Sequence, residues 1–292
     1  MKKIAIFSRK IKENQINLVA DIINKLDKQS CTLTLYKTLY EDIKDKLSLL
    51  SYPKIFNTHT EIESCSFLIS IGGDGTLLDT ISFIRDSGIP VLGLNIGKLG
   101  FLANTTLDNF EYSIKQIINN DYDIDKRTLI KIKTQNNIFG EINYALNEIA
   151  VIKSDISSMI KIDVYINELF LNTYWADGLL IATPTGSTAY SLSCGGPIVV
   201  PNSENFILTP IASHNLTVRP IVLSDLSQIK LLVNTNNTPF IICLDSRKYK
   251  TSKIKELLIT KENFTFNLIK LKEENFFATI RNKLMWGVDK RN

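Results

Sequence analysis

One carboxylate stands inside a glycine turn, Ile71-Gly72-Gly73-Asp74-Gly75-Thr76. The glycines remove every Cβ that would bar a ligand from the backbone, which leaves Asp74 as the functional side chain of the loop. Backbone N–H groups at a helix start there can hold phosphate oxygens. An aspartate repels phosphate, so its presence points to a metal held against phosphates or to a base that takes a proton from a hydroxyl nucleophile. The bland alternative is a helix cap. A second stretch, residues 176–197, is dense in small hydroxyl and glycine residues around Tyr190, and it offers hydroxyls, backbone donors and one aromatic face to a flat polar ligand. Asn147-Glu148 precedes an apolar strand and reads either as a ligand contact or as an exposed strand edge. His214 is a candidate phosphate neighbour, and Arg219 and Lys98 are candidates for a phosphoryl donor. Asp79, Asp86 and Asp108 read as solvent-facing helix residues.

The elements that must position these groups follow from hydrophobic periodicity. Residues 66–71 are apolar on both faces, as in a buried parallel strand, and Thr76 opens a helical pattern that stops at Gly88. Strands at 3–8, 32–36, 66–71 and 89–95 alternate with helices at 14–26, 76–88 and 110–118, which predicts a doubly wound parallel sheet. A second glycine-bearing loop at 95–104 shares the carboxyl edge of that sheet. Beyond Asp125 the texture changes to short strands separated by turns such as Asn136-Asn137 and Asn236-Asn237, which predicts an antiparallel β-sandwich. Residues 276–284 have helical spacing and are expected to return to the first domain. The expected division is an α/β domain of residues 1–125 with the returning segment 272–292, and an all-β domain of residues 126–271.

The 292 residues accommodate two cores, and a net charge of +4 with scattered lysines gives no footprint for nucleic acid. The apolar run at the N-terminus ends by Ser8, too short for a membrane span or a secretory segment. Four distant cysteines and two histidines argue against a zinc site and for a reducing cytoplasm, with Cys31 and Cys65 as small core residues.

Taken together, Gly72–Thr76, Asn95–Leu102, Asn147-Glu148, Asp177–Pro197 and Ser213–Pro220 strongly resemble the bacterial ATP-dependent NAD kinases, in order along the chain. The Gly-Gly-Asp-Gly-Thr turn is shared with diacylglycerol and sphingosine kinases. The Thr183–Tyr190 block is the narrow signature. The resemblance implies transfer of the γ-phosphoryl of ATP, or of another donor, to the 2′-hydroxyl of the adenosine ribose of NAD, with a divalent cation such as Mg²⁺ screening the phosphates. It makes Asp74 the proton acceptor, with Gly75 lining the same pocket. Asn147 and Glu148 are implied to hold the adenine and ribose, and Asp177 the nicotinamide amide. Thr188, Ala189, Tyr190, Ser191, Leu192 and Ser193 are implied to enclose the adenosine, and Arg247 to stand at the edge of the pocket. It further suggests a homo-oligomer, dimer or tetramer. The chain departs from the family pattern at Ala103-Asn104, at Ser158 and at Asp245-Ser246-Arg247. Two other readings compete, a lipid kinase of the same superfamily and a non-catalytic NAD-binding regulator. An oxidoreductase is excluded because no G-x-G-x-x-G follows the first strand.

Overall fold

The computed structural model describes residues 2–29, 31–97, 100–155, 159–235, 238–272 and 275–287. Lys98, Ser158 and the Asn236-Asn237 turn lie outside the described residues. The chain divides into two units: the first runs to Lys126 and resumes at Asn267, and the second is Arg127–Phe266.

In the first unit the chain runs β1 (Lys3–Phe7), α1 (Ile16–Asp27), β2 (Thr32–Tyr36), α2 (Lys37–Ile43), β3 (Lys54–Phe56), β4 (Phe67–Ile71), α3 (Asp74–Asp79), α4 (Ile81–Ile84), β5 (Val91–Asn95), β6 (Thr105–Thr106) and α5 (Phe110–Ile118). Strand order is β6-β5-β4-β1-β2-β3, all parallel. Every residue of β4 and β5 is buried, which explains their predominantly apolar sequence. The chain crosses from β3 over to β4 on the far side of β1, so β1 and β4 flank the point where the winding reverses, and ligands of such sheets bind at the carboxyl ends there. The Ser8 hydroxyl ties those two ends together by donating to the Ile71 carbonyl at 2.7 Å.

The expected helix from Thr76 to Gly88 differs from the structure. It begins at Asp74, breaks at Thr80, whose hydroxyl bonds back to the Leu77 carbonyl at 2.6 Å, and ends at Arg85, which turns left-handed at φ 49°.

The second unit contains β7 (Asp123–Thr134, from Arg127 on), β8 (Tyr144–Ala145), β9 (Glu148–Lys153), β10 (Ile160–Ile166), β11 (Leu169–Ala176), β12 (Gly178–Ala182), α6 (Tyr190–Ser193), β13 (Asn205–Ile211), β14 (Ile221–Ser224), β15 (Ile229–Asn234), β16 (Phe240–Leu244), β17 (Arg247–Thr251) and most of β18 (Glu256–Lys270). One antiparallel sheet has the order β14-β13-β12-β9-β16-β17, and a second runs β11-β10-β15-β18 with β7 beside β18 and β8 beside β7. Alternate residues of both sheets, among them Val151, Ile181 and Leu208 of one and Ile162, Leu231 and Ile259 of the other, meet in one core, as in a β-sandwich. Ala150, Leu180, Ile207 and Cys243 point to the opposite face of the first sheet, where Cys194 and Val199 cover them. The hydroxyl-rich stretch is thus the lid on a second apolar face, and β12 is buried throughout because of it.

At the end of β18 Leu268 pairs with Val91, and Ile269 and, just past the strand, Leu271 enter the core of the first unit. Helix α7 (Phe276–Leu284) follows; the Asn275 side chain caps it by accepting from the Phe277 amide at 2.9 Å.

Candidate active site

Asp74 is the first residue of α3, at the carboxyl end of β4. Its Oδ2 accepts the Phe101 amide at 2.8 Å, and its Oδ1 accepts the Leu102 and Ala103 amides at 3.0 and 2.9 Å. Three consecutive backbone donors converge on one carboxylate, a nest of the kind that binds anions. Gly100 is what allows it, since a Cβ there would lie 1.9 Å from Asp74 Oδ1. A carboxylate has about four lone-pair directions, so roughly one remains for a ligand. Two cations flank the turn. The Arg9 guanidinium lies 3.3 Å from where a Cβ of Gly75 would stand and is ion-paired with Asp79, which raises its pKa. The Lys283 ammonium is 3.6 Å from Asp74 Oδ2 and 4.5 Å from the centroid of the Phe101 ring. Asp79, read from sequence as a solvent-facing residue, is therefore a partner of Arg9. Asp74 itself does not sit open among glycines; it latches the 72–76 turn to the 100–103 loop.

A second aspartate does the same in the other unit. Half-buried Asp245 accepts the Leu146, Asn147 and Glu148 amides at 2.9, 2.8 and 3.2 Å. It fixes the start of β9 and with it the Asn147-Glu148 pair. The Thr183 hydroxyl donates to the Leu146 carbonyl at 2.6 Å and receives the Gly186 amide at 3.2 Å, so the hydroxyl-rich loop is clamped over the same residues. Burial first, and the Asp245 carboxylate second, push Glu148 up to about 8. Burial also raises Asp245, against the opposing pull of its three amide donors and Arg247, and Glu148, at about 8, keeps its proton at neutral pH. Burial pushes the Tyr190 phenol up as well, with smaller contributions from Cys194, Cys243, Glu148 and Asp177.

The remaining predicted residues fall into two sets. Asp177, half-buried before β12, pairs with the Lys153 ammonium at 2.5 Å, while Tyr190 and Ser193 are exposed and Thr188, Ala189 and Leu192 half-buried. Ser191 faces inward, with its hydroxyl 3.1 Å from that of Thr209. The Arg247 guanidinium donates to the Ile142 carbonyl at 2.6 Å and to that of Tyr144, so it braces the strand before Asn147. Thr185–Thr188 form a 3-10 turn, followed by the single turn of α6. Ser187 has turned its hydroxyl to the Val199 backbone, and Thr188 bonds back to the Thr185 carbonyl at 3.3 Å. His214 and Arg219 are exposed, and Arg219 donates to the Leu216 and Val218 carbonyls at 2.6 and 2.8 Å.

Sequence reading missed Arg9, Lys283 and Asp245. For Asp245 a signal existed: an aspartate in the tight link between β16 and β17, at φ 50°.

A parallel sheet with a latched carboxylate at its switch point, in one chain with a sandwich that clamps an Asn-Glu pair under a hydroxyl-rich loop, defines a class of nucleotide-handling enzymes. Residues 4–122 match the ATP-NAD kinase N-terminal domain and residues 146–271 the ATP-NAD kinase C-terminal domain. The NAD kinase of Cytophaga hutchinsonii is 43% identical over 289 residues, 99% of each chain. That of Flavobacterium psychrophilum is 41% identical over 293 residues, covering 99% of this chain and 100% of its own. Among solved structures, yeast NADH kinase complexed with NADH superposes with a TM-score of 0.87 at 23% identity, over 99% of this chain and 89% of that one. An Archaeoglobus fulgidus NAD kinase in complex with ATP gives 0.73 at 24% identity, over 97% and 98%. The chain belongs to the ATP-NAD kinase family.

Proposed function

We propose that this chain phosphorylates the 2′-hydroxyl of the adenosine ribose of NAD with ATP, giving NADP, and that Asp74 receives the hydroxyl proton. The supporting observation is the Asp74 carboxylate itself, held by three amides at the switch point with about one lone-pair direction left over. A ribose hydroxyl is too weak an acid to ionise beforehand, so the proton moves late, as the oxygen attacks the γ-phosphorus. Gly75 leaves the ribose room beside the carboxylate.

In this reading Asn147 and neutral Glu148 hold adenine and ribose, with a protonated carboxyl able to donate as well as accept. Tyr190 supplies the aromatic wall, Thr188, Ala189, Leu192 and Ser193 complete the enclosure, and Asp177 meets the nicotinamide amide. Ser191 and Arg247 act from behind by packing and bracing. No three His, Cys, Asp or Glu side chains converge among the described residues, and Asp74 already has its amide donors, so these residues do not build a resident metal site. The divalent cation, Mg²⁺ in this proposal, enters as the counter-ion of ATP. No helix among the described residues is long and apolar enough to cross a membrane. A cytoplasmic setting fits the free cysteines, and exposed Leu169, Phe170 and Trp175 on β11 fit a homo-oligomer.

The test is NADP formation from NAD and MgATP by wild type and Asp74→Asn. Removing the base is expected to cost roughly 10²–10⁴ in kcat while NAD binding persists. Turnover of the variant within about twofold of wild type would sink the base assignment, and absence of turnover in folded wild type would sink the kinase reading.

A further inference from the structure

Lys283 has no place in the reading above, and its position is unusual. Phe276 and Lys283 stand seven residues apart on α7, two turns along one face. Both reach the same ring: Phe276 packs at 6.5 Å from the Phe101 centroid, and the Lys283 ammonium lies over that ring at 4.5 Å. The capped start of α7 and this double contact therefore aim the ammonium at the Asp74 turn. At 3.6 Å from Oδ2 it is too far for a hydrogen bond, so it lies beside the carboxylate as a charge without committing a donor to it. A latch already made by three amides does not require it. The chain also lacks the phosphate-binding lysine of a G-x-x-x-x-G-K-[ST] loop.

From this we infer that Lys283 is a catalytic residue that contacts the phosphoryl group in transfer. The inference rests on the kinase reading. Without phosphate nearby the ammonium neighbours Asp74; when the donor is bound it moves to the γ-phosphoryl oxygens and leaves Oδ2 to the ribose hydroxyl. The 2′-oxygen forms its bond to the γ-phosphorus, and the bond from that phosphorus to the β,γ-bridging oxygen breaks. The electron pair leaves on ADP, and the hydroxyl proton passes to Asp74. Lys283 neutralises charge on the equatorial oxygens throughout and gives up no proton. Arg9, paired with Asp79, remains at the Gly75 side of the turn.

The experiment compares wild type, Lys283→Met and Lys283→Arg with NAD and MgATP, recording kcat, KM for NAD and the melting temperature. Methionine keeps the stem over Phe101 and removes the charge. Its kcat is expected to fall about 10²-fold, as for loss of one oxyanion donor, with KM for NAD and the melt near wild type, and arginine is expected to restore a large part of the rate. Methionine with kcat within about twofold of wild type would overturn the inference. So would a lowered melt and a raised KM without a separate fall in kcat, because that pattern belongs to a structural prop for α7. Wild type that turns over while methionine matches it refutes Lys283 alone, whereas wild type that forms no NADP refutes the kinase reading on which it depends.

Discussion

Gly100→Ala tests the latch without altering any group that touches a substrate. Gly100 is not among the glycines at positive φ, so its backbone admits alanine, and the obstacle is the Asp74 carboxylate, with Oδ1 at 1.9 Å and Cγ at 2.7 Å from the new Cβ. An aspartate has only two side-chain torsions and cannot step aside while keeping all three amides. Hydrogen bonds to a charged group contribute about 1.5–3 kcal/mol each, so loss of one or two should cost about 2–4 kcal/mol. For a chain of this size that lowers the melting temperature by roughly 5–10 °C. With the base displaced, kcat should fall about 10²-fold or more. Gly73→Ala is the control for stability, since nothing lies within 4 Å of its Cβ, and it should melt within about 0.5 kcal/mol of wild type. Thermal melts and steady-state NADP formation read both quantities. A Gly100→Ala protein with the melt and turnover of wild type would refute the latch.

The other two predictions concern the second unit. Glu148, at about 8 in the folded chain against an ordinary 4.5, binds more protons folded than unfolded between those values, so its contribution to stability is present at low pH and is lost as pH rises towards 8. Glu148→Gln removes that dependence, and calorimetric melts should show its advantage over wild type widening from pH 5.5 to 8.5; parallel curves would contradict the buried neutral acid. Gly186→Ala would put a Cβ 2.1 Å from the Asn147 carbonyl oxygen and 2.5 Å from its carbon, both backbone atoms that cannot yield. A lower melt by at least about 2 kcal/mol and a raised KM for NAD are expected, and an unchanged pair of values would show that the loop is not clamped on Asn147.

How much of this was readable depended on whether a feature leaves its mark in residue types. Strands β4 and β5 were legible because both faces are buried and most positions are apolar. Strand β17, Arg-Lys-Tyr-Lys-Thr, was missed because it is an exposed edge held by backbone bonds to β16, and an edge tolerates lysine. Strands β3, β6 and β14 are short or half-exposed and leave equally little pattern. Asp74 announced itself through its glycines, yet the amides of Phe101, Leu102 and Ala103 belong to residues of any type. Arg247 entered through the family resemblance, at the edge of the pocket; that its guanidinium also braces two carbonyls is visible only when Ile142 and Tyr144 are in place. Lys283 lies far along the chain from Asp74, and no local pattern relates them.

The nest over Asp74 has a consequence for what the sheet edge can hold. Three convergent amides would make a ready seat for phosphate, and the protein seats its own carboxylate there instead. Free phosphate, pyrophosphate and the product's new phosphate are thereby denied the strongest backbone anion hole of the 100–103 loop. A triphosphate at this edge is left to meet other groups, among them the side-chain charges of Arg9 and Lys283 that flank the turn.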